Sequence, residues 1–168
     1  PPESARVIGA HLESNFISHD FRGAQPAACI RTWTSAAHGT HQASSGDAPF
    51  VTADLRDAID AFAPDIATVT LAPEVDGGLA LIDWLVHRRI RVSLGHCGAD
   101  AAVTLEAVAR GARQVTHLFN AMLPMHHRRP GLAGVALQCP DLVVELICDG
   151  VHVHPGAIAL ALRQHLRG

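Results

Sequence analysis

Residues 90–120 read IRVSLGHCGADAAVTLEAVARGARQVTHLFN, and this stretch decides the fold. Residues 90–94 and 114–118 are short runs rich in strand-forming residues, and residues 100–110 between them have helical periodicity. Gly111 stands where the C-terminal cap of that helix is expected. Because two strands joined by a helix pair in parallel, the stretch predicts a βαβ unit and an α/β fold.

The same alternation of strands and helices continues on both sides of this unit. Further strands are predicted at 6–12, 66–71 and 142–148, and further helices at 53–62, 78–88 and 155–166, with Thr52 as the first helix's N-cap. Continuous apolar strands between helices predict a parallel sheet of about five strands, covered on both faces. We expect residues 1–168 to form one segment of a single domain, with a mobile surface loop at 32–49, which is rich in Ser, Ala, Gly and Thr.

The composition excludes several classes of function. The 168 residues carry a net charge of −3 with both signs interspersed, so no basic face for nucleic acid is expected. The apolar runs are too short to span a membrane. All 13 basic residues are arginine, which excludes a Schiff-base, P-loop or carbamylated lysine from this segment. Four cysteines without paired spacing predict reduced thiols and a cytoplasmic protein.

Metal-capable or titratable side chains follow the carboxyl ends of nearly every predicted strand. They are His11 and Glu13, then Glu74, then His96, then His117 and Asn120, and finally Asp149, His152 and His154. Because all the carboxyl ends of a parallel sheet lie on one face, these residues should converge, and a barrel would gather them in a ring.

Taken singly, each of these residues has an ordinary explanation. A histidine after a strand is more often a solvated loop residue than a ligand, and Cys97, beside His96, is more simply a small buried thiol. The joint placement of Glu13, His96 and His117 favours a metal site, because two imidazoles and a carboxylate suit Zn²⁺ or Fe²⁺ with one position open for water. We expect His11 to support the strand end.

Four motifs in order carry a resemblance to a known family. They are HLESNFIS…RGAQP, TLAPE, SLGHCGADAAVTLEAVARGARQVTHLFNAMLPMHHRRPGLAG and CDGVHVHP. Their order and spacing resemble those of the N-acetylglucosamine-6-phosphate deacetylases, metal-dependent members of the amidohydrolase superfamily. The likeness runs over residues 7–155 and implies a central fragment of a (β/α)8 TIM-type barrel, lacking the N-terminal strands and the last strand.

The resemblance also implies an activity and roles for individual residues. It implies hydrolysis of the acetamide of N-acetylglucosamine 6-phosphate by a homodimer that binds a divalent metal through Glu13, His96 and His117. The residues that it assigns to the phosphorylated sugar are Gln25, Asn120, Ala121, Arg128 and His152, with Arg128 meeting the 6-phosphate across the dimer interface. The family's catalytic Asp follows the last barrel strand, beyond Gly168, so no catalytic residue is expected in this segment.

Two departures from the family pattern keep other functions open. Ser14-Asn15 replaces the usual Gly-Pro after the ligand Glu13, and Gln25 replaces a substrate histidine. Pro fixes φ and Gly permits angles that Ser resists, so the Glu13 loop could sit differently. The alternatives are another amidohydrolase acting on a different amide, and a non-catalytic metal-binding fragment that lacks the catalytic Asp.

Overall fold

The computed structural model describes residues 5–13, 15–33 and 50–165, and in these ranges strands alternate with helices. The strands are β1 (Ala10–Glu13), β2 (Ile66–Leu71), β3 (Arg91–Leu94), β4 (Gln114–Val115) and β5 (Val143–Val144). The helices are α1 (Thr52–Phe62), α2 (Gly78–His87), α3 (Ala101–Ala109), α4 (Gly131–Ala136) and α5 (Pro155–His165). Among the described residues, no helix combines the length and apolar character that a membrane span requires.

The five strands form one sheet in the order β1-β2-β3-β4-β5, and every neighbouring pair is parallel. Glu13 pairs with Thr70, while Leu94 lies between Leu71 and Val115. The carboxyl ends of β1 to β4 are therefore level with one another. The predicted α/β class with about five parallel strands is confirmed.

The core lies between the sheet and its helices. Leu71 and Leu94 are fully buried in the sheet, and Leu81, Ile82 and Leu85 of α2 are fully buried against it. Burial of one such side chain is worth about 1.5–3 kcal/mol. This core fixes the positions of the strand ends, where the polar residues lie.

Several predicted boundaries are wrong. β1 begins at Ala10 instead of residue 6, because Val7 and Ile8, 91% and 83% exposed, make no ladder to β2. β4 and β5 have two residues each, although the predicted strands, 114–118 and 142–148, are longer. Beyond these two strands the regular ladder ends, and isolated backbone hydrogen bonds join the neighbouring segments, such as Leu118 N–H to Glu145 O at 2.8 Å. Apolar runs identify buried segments without showing where strand pairing stops.

Helix ends also differ from the predictions. Thr52 lies inside α1, after the N-cap Val51, and its hydroxyl donates to Thr32 O at 3.0 Å. Asp100 precedes α3 and caps it, accepting from Val103 N–H at 2.9 Å. Helix α4 lies in a stretch predicted as loop, because its six residues, GLAGVA, are all apolar or glycine and show no amphipathic period.

The predicted mobile loop falls mostly outside the described residues, which exclude 34–49. Trp33, near its start, is buried and lies against Phe16 and Trp84, with ring centroids 5.6 and 4.8 Å away. Its carbonyl oxygen reaches Gly77, the N-cap of α2, where an added Cβ would lie 2.0 Å from that oxygen.

We predict that Gly77→Ala destabilises the protein far more than Gly150→Ala. Both glycines have φ of 76°, so both substitutions meet the same backbone strain of about 1–2 kcal/mol. Only Gly77 faces a neighbour, whereas nothing lies within 4 Å of a Cβ at Gly150. Urea unfolding should show Gly77→Ala costing at least about 2 kcal/mol more. Equal losses would contradict the close approach of Trp33.

Candidate metal centre

Three side chains from separate strands meet at the carboxyl edge of the sheet. Glu13 is the last residue of β1, His96 follows β3 by two residues, and His117 follows β4 by two residues. Each offers one ligand atom, and these atoms lie within 4.8 Å of one another. No other group of three His, Cys, Asp or Glu with this property occurs in the part of the chain that the structure describes.

The three ligand atoms lie close together. His96 Nε2 is 2.9 Å from Glu13 Oε1 and 3.0 Å from His117 Nε2, and His117 Nε2 is 3.6 Å from Glu13 Oε1. The two imidazoles meet edge to face, with centroids 4.7 Å apart. His96 is 5% exposed, so water competes little for its ring.

The backbone carbonyl of Phe21 fixes the tautomer of His96. It lies 2.8 Å from His96 Nδ1, and a carbonyl oxygen can only accept, so Nδ1 carries the proton. In the neutral ring, Nε2 then presents a lone pair toward Glu13 and His117. Metal-binding histidines usually donate their second nitrogen to a carbonyl or carboxylate in this way.

This donor set fits a divalent metal ion. Ligand atoms at 2.0–2.2 Å around a tetrahedral ion lie about 3.4 Å apart, close to the observed 2.9, 3.0 and 3.6 Å. Two imidazole nitrogens and one carboxylate oxygen suit zinc or ferrous iron and leave a position open. Three lone pairs at such spacing repel one another unless a cation, either a proton or a metal, lies among them.

The charge of Glu13 responds to its neighbours. Burial raises the pKa of its carboxyl group, but the favourable interactions of the carboxylate with the imidazoles of His96, His117 and His11 lower this pKa by more than burial raises it. The pKa of Glu13 is therefore below its usual value. Glu13 is ionised at neutral pH, as a metal ligand must be.

The loops that carry the two histidines have unusual backbone angles. His96 and His117 have φ of 48° and 34°, and Phe119, Ala121 and Asn15 also have positive φ. Such conformations cost about 1–3 kcal/mol each and cluster at functional sites. Sequence reasoning missed them, because nothing in a histidine's identity signals a left-handed backbone.

A chain of hydroxyl groups runs through the same region of the sheet. His11 Nε2 lies 2.7 Å from Thr70 Oγ1, which is 2.7 Å from Thr116 Oγ1, which is 2.6 Å from Ser93 Oγ. Thr70, Ser93 and Thr116 are at most 2% exposed. The expected role of His11 in supporting the strand end agrees with this contact. The hydroxyl chain was missed, although hydroxyl residues within buried strands are a usable signal.

Three predicted sugar-binding residues adjoin the triad of Glu13, His96 and His117. Gln25 Nε2 donates to the backbone oxygen of Glu13 at 3.1 Å. Asn120 Nδ2 donates to the backbone oxygen of His117 at 3.4 Å. Ala121 accepts from the backbone N–H of Cys97 at 3.1 Å, which ties it to the His96 loop.

The other two predicted residues are exposed, and the structure does not link them to the triad. The guanidinium of Arg128 makes no hydrogen bond or ion pair with any residue in the described ranges. His152 Nδ1 lies 2.6 Å from Asp149 Oδ2. Of the two residues that depart from the family's Gly-Pro, Ser14 lies outside the described residues. Asn15 has φ of 68°, and its side-chain Nδ2 donates a hydrogen bond to Cys29 O at 2.9 Å.

Cys97, the soft-ligand alternative, is a fully buried thiol. Burial, with the charge of Glu74 adding to it, raises the pKa of Cys97 to about 12. A thiol held protonated in this way is inert at neutral pH.

The second nitrogen of His117 differs from that of His96. His117 Nδ1 is buried and has no hydrogen-bond partner among the described residues.

Comparison with known proteins gives one consistent result. The chain is 42% identical over 172 residues to an N-acetylglucosamine-6-phosphate deacetylase of Danio rerio, covering 99% of this chain and 39% of the relative. It is 40% identical over 157 residues to the protein of that name from Bacillus subtilis (strain 168), covering 94% of this chain and 35% of the relative. The chain thus spans about two fifths of the relatives' length. No family model matches the chain.

Solved structures agree with the sequence relatives. A mutant N-acetyl-D-glucosamine-6-phosphate deacetylase from Mycobacterium smegmatis, in complex with N-acetyl-D-glucosamine-6-phosphate, matches with a TM-score of 0.77 and 32% identity over 94% of this chain and 37% of that chain. The Thermotoga maritima deacetylase matches with a TM-score of 0.71 and 30% identity, over 92% of this chain and 37% of that chain. These matches confirm the fold class, part of a (β/α)8 barrel.

We predict that His152→Ala raises the pKa of Asp149. The backbone N–H of His152, then its imidazole, then the N–H of Val151 lower that pKa from 3.8 to about 2. Because the folded pKa is lowered, the stabilisation is present above pH 3.8 and is lost as the pH falls through about 2. Carbon-13 NMR titration should show an intermediate pKa in His152→Ala. His154→Ala is the control, since His154 contacts Gly156 instead; an unchanged pKa in His152→Ala would refute the contact.

Proposed function

We propose that the chain, over the segment it spans, belongs to the N-acetylglucosamine-6-phosphate deacetylase family and provides the metal-binding part of such an enzyme. The reaction is hydrolysis of the acetamide of N-acetylglucosamine 6-phosphate to glucosamine 6-phosphate and acetate. The observation that carries the proposal is the convergence of Glu13, His96 and His117 from three strands onto one point.

Glu13, His96 and His117 would hold the divalent ion, either zinc or ferrous iron. When bound, such an ion lowers the pKa of a coordinated water and polarises the acetyl carbonyl. The protein's own contribution is to fix the donors. The Phe21 carbonyl keeps the proton on His96 Nδ1, and burial of His96 keeps bulk water from its ring.

Gln25 and Asn120 are placed to meet the sugar. Each uses its amide NH₂ on a backbone oxygen of a triad residue, which leaves the side-chain oxygen of each able to accept a hydrogen bond from a sugar hydroxyl. The nearby Ala121 presents only a methyl group and so leaves room for the substrate. His152, oriented by Asp149, would accept a hydrogen bond from the substrate at its other nitrogen.

Arg128 is proposed as the phosphate ligand. Its guanidinium is exposed, has no acidic partner in the described ranges, and offers a planar fork that matches phosphate oxygens. Because this arginine is exposed and makes no hydrogen bond or ion pair with the triad of its own chain, it is suited to bind substrate at the site of a second copy. We therefore propose a homodimer in which Arg128 reaches the partner's substrate.

A cytoplasmic location is proposed from the cysteines. Cys29, Cys97, Cys139 and Cys148 are all free thiols. Free thiols persist in reducing compartments, whereas secreted proteins usually pair them.

A second candidate function is metal binding without turnover. The triad contains one carboxylate, Glu13, and no further Asp or Glu joins it among the described residues. Amide hydrolysis needs a group that takes a proton from water and passes one to the leaving amine, and Glu13 cannot do so while it holds the metal. A protein that binds zinc but releases no acetate would favour this candidate.

We predict that Glu13→Gln abolishes tight zinc binding. Loss of a residue that merely supports a ligand costs about 10–100-fold in affinity, so loss of the ligand itself should exceed about 100-fold. The control is Glu106→Gln, which changes an exposed carboxylate on α3 that pairs with Arg110. Competition with a chromophoric chelator measures both affinities. Wild-type affinity in Glu13→Gln would refute the metal centre.

We predict that Arg128→Ala raises KM for N-acetylglucosamine 6-phosphate by about 10-fold or more and leaves the rate on N-acetylglucosamine unchanged. A charge-assisted hydrogen bond to phosphate is worth about 1.5–3 kcal/mol. Arg129→Ala, at the neighbouring exposed arginine, is the control. Acetate release measures both substrates. Equal wild-type rates on the two sugars would instead favour an amidohydrolase with another substrate.

A further inference from the structure

We propose that Glu74 is a positioning residue for the metal centre, because its carboxylate holds the turn that carries His96. The inference rests on the proposed metal-binding function. Glu74 follows β2 in the TLAPE motif and accepts a hydrogen bond from the backbone N–H of Gly98. It makes no hydrogen bond to any residue of the triad itself.

The turn at residues 95–98 requires support because it is strained. His96 has φ of 48°, which a residue with a side chain adopts only when its surroundings impose it. Three backbone contacts hold the turn: Gly95 N–H to Leu71 O at 3.2 Å, Ser18 N–H to His96 O at 2.9 Å, and Cys97 N–H to Ala121 O at 3.1 Å. A fourth hydrogen bond of the turn's backbone, from Gly98 N–H to Glu74, is the one of these four whose partner is a side chain.

Gly98 connects this contact to the His96 ring through Phe21. A Cβ on Gly98 would lie 2.8 Å from Phe21 Cε2, so the turn packs directly on the Phe21 ring. The carbonyl oxygen of the same Phe21 accepts the hydrogen bond from His96 Nδ1–H at 2.8 Å. Movement of Gly98 would therefore displace Phe21 and change the direction of the His96 lone pair.

The alternative is that Glu74 is an ordinary solvated carboxylate. A carboxylate accepts a backbone N–H more strongly than a neutral acceptor does, which favours a fixed turn. Because the contact is at the protein surface, water can replace part of it. We therefore expect an effect at the lower end of the 10–100-fold range typical of residues that support metal ligands.

The test compares zinc affinities of three variants by chelator competition. Glu74→Ala should bind zinc about 10-fold more weakly than the wild type. Glu74→Gln keeps an acceptor oxygen and should stay within about 3-fold of the wild type. Glu106→Ala, which removes an exposed carboxylate on α3, should match the wild type. A Glu74→Ala variant with wild-type zinc affinity would overturn the proposal.

A measurement on the metal-free protein separates this proposal from the metal-binding function. Amide hydrogen exchange at Gly98 should be faster in Glu74→Ala than in the wild type and near wild type in Glu74→Gln. Exchange that is identical in all variants contradicts the role of Glu74 alone. If exchange is faster in Glu74→Ala but the wild type binds no zinc, then Glu74 does hold the turn and the metal-binding function is contradicted.

Discussion

The hydrogen bond from His96 Nδ1 to the Phe21 carbonyl is the interaction on which the site depends. It places the proton on one nitrogen and leaves the lone pair of the other directed at Glu13 and His117. Three electron-pair donors then stand 2.9–3.6 Å apart, an arrangement that is favourable only with a cation among them. A proton can serve in the metal-free protein, and a divalent ion can replace it.

The rest of the fold keeps those donors in place. A parallel sheet brings the ends of β1, β3 and β4 to one edge, so residues that are far apart in sequence become neighbours. The strained backbone at His96 and His117 turns their rings toward Glu13. The buried core and the turn contacts offset the cost of that strain. The loops that follow the strands therefore carry both the strained backbone and the proposed metal ligands.

The sequence predicted the α/β class and the convergence of the triad, because apolar periodicity marks strands and the metal-capable side chains follow them directly. It did not predict the two-residue length of β4 and β5 or helix α4, since apolar character reports burial and not hydrogen-bond pairing. The Phe21 carbonyl could not be found either, because every residue has one. The proposed roles of Gln25 and Asn120 come from the family motifs, which carry information that residue chemistry alone lacks.

The most direct test is anomalous diffraction from crystals of the zinc-loaded protein, recorded at the zinc absorption edge. The account predicts one strong peak among Glu13 Oε1, His96 Nε2 and His117 Nε2, with zinc to nitrogen distances of about 2.0–2.1 Å. A peak elsewhere would contradict it, and so would a sulfur ligand at about 2.3 Å from the metal, the distance expected if Cys97 were bound.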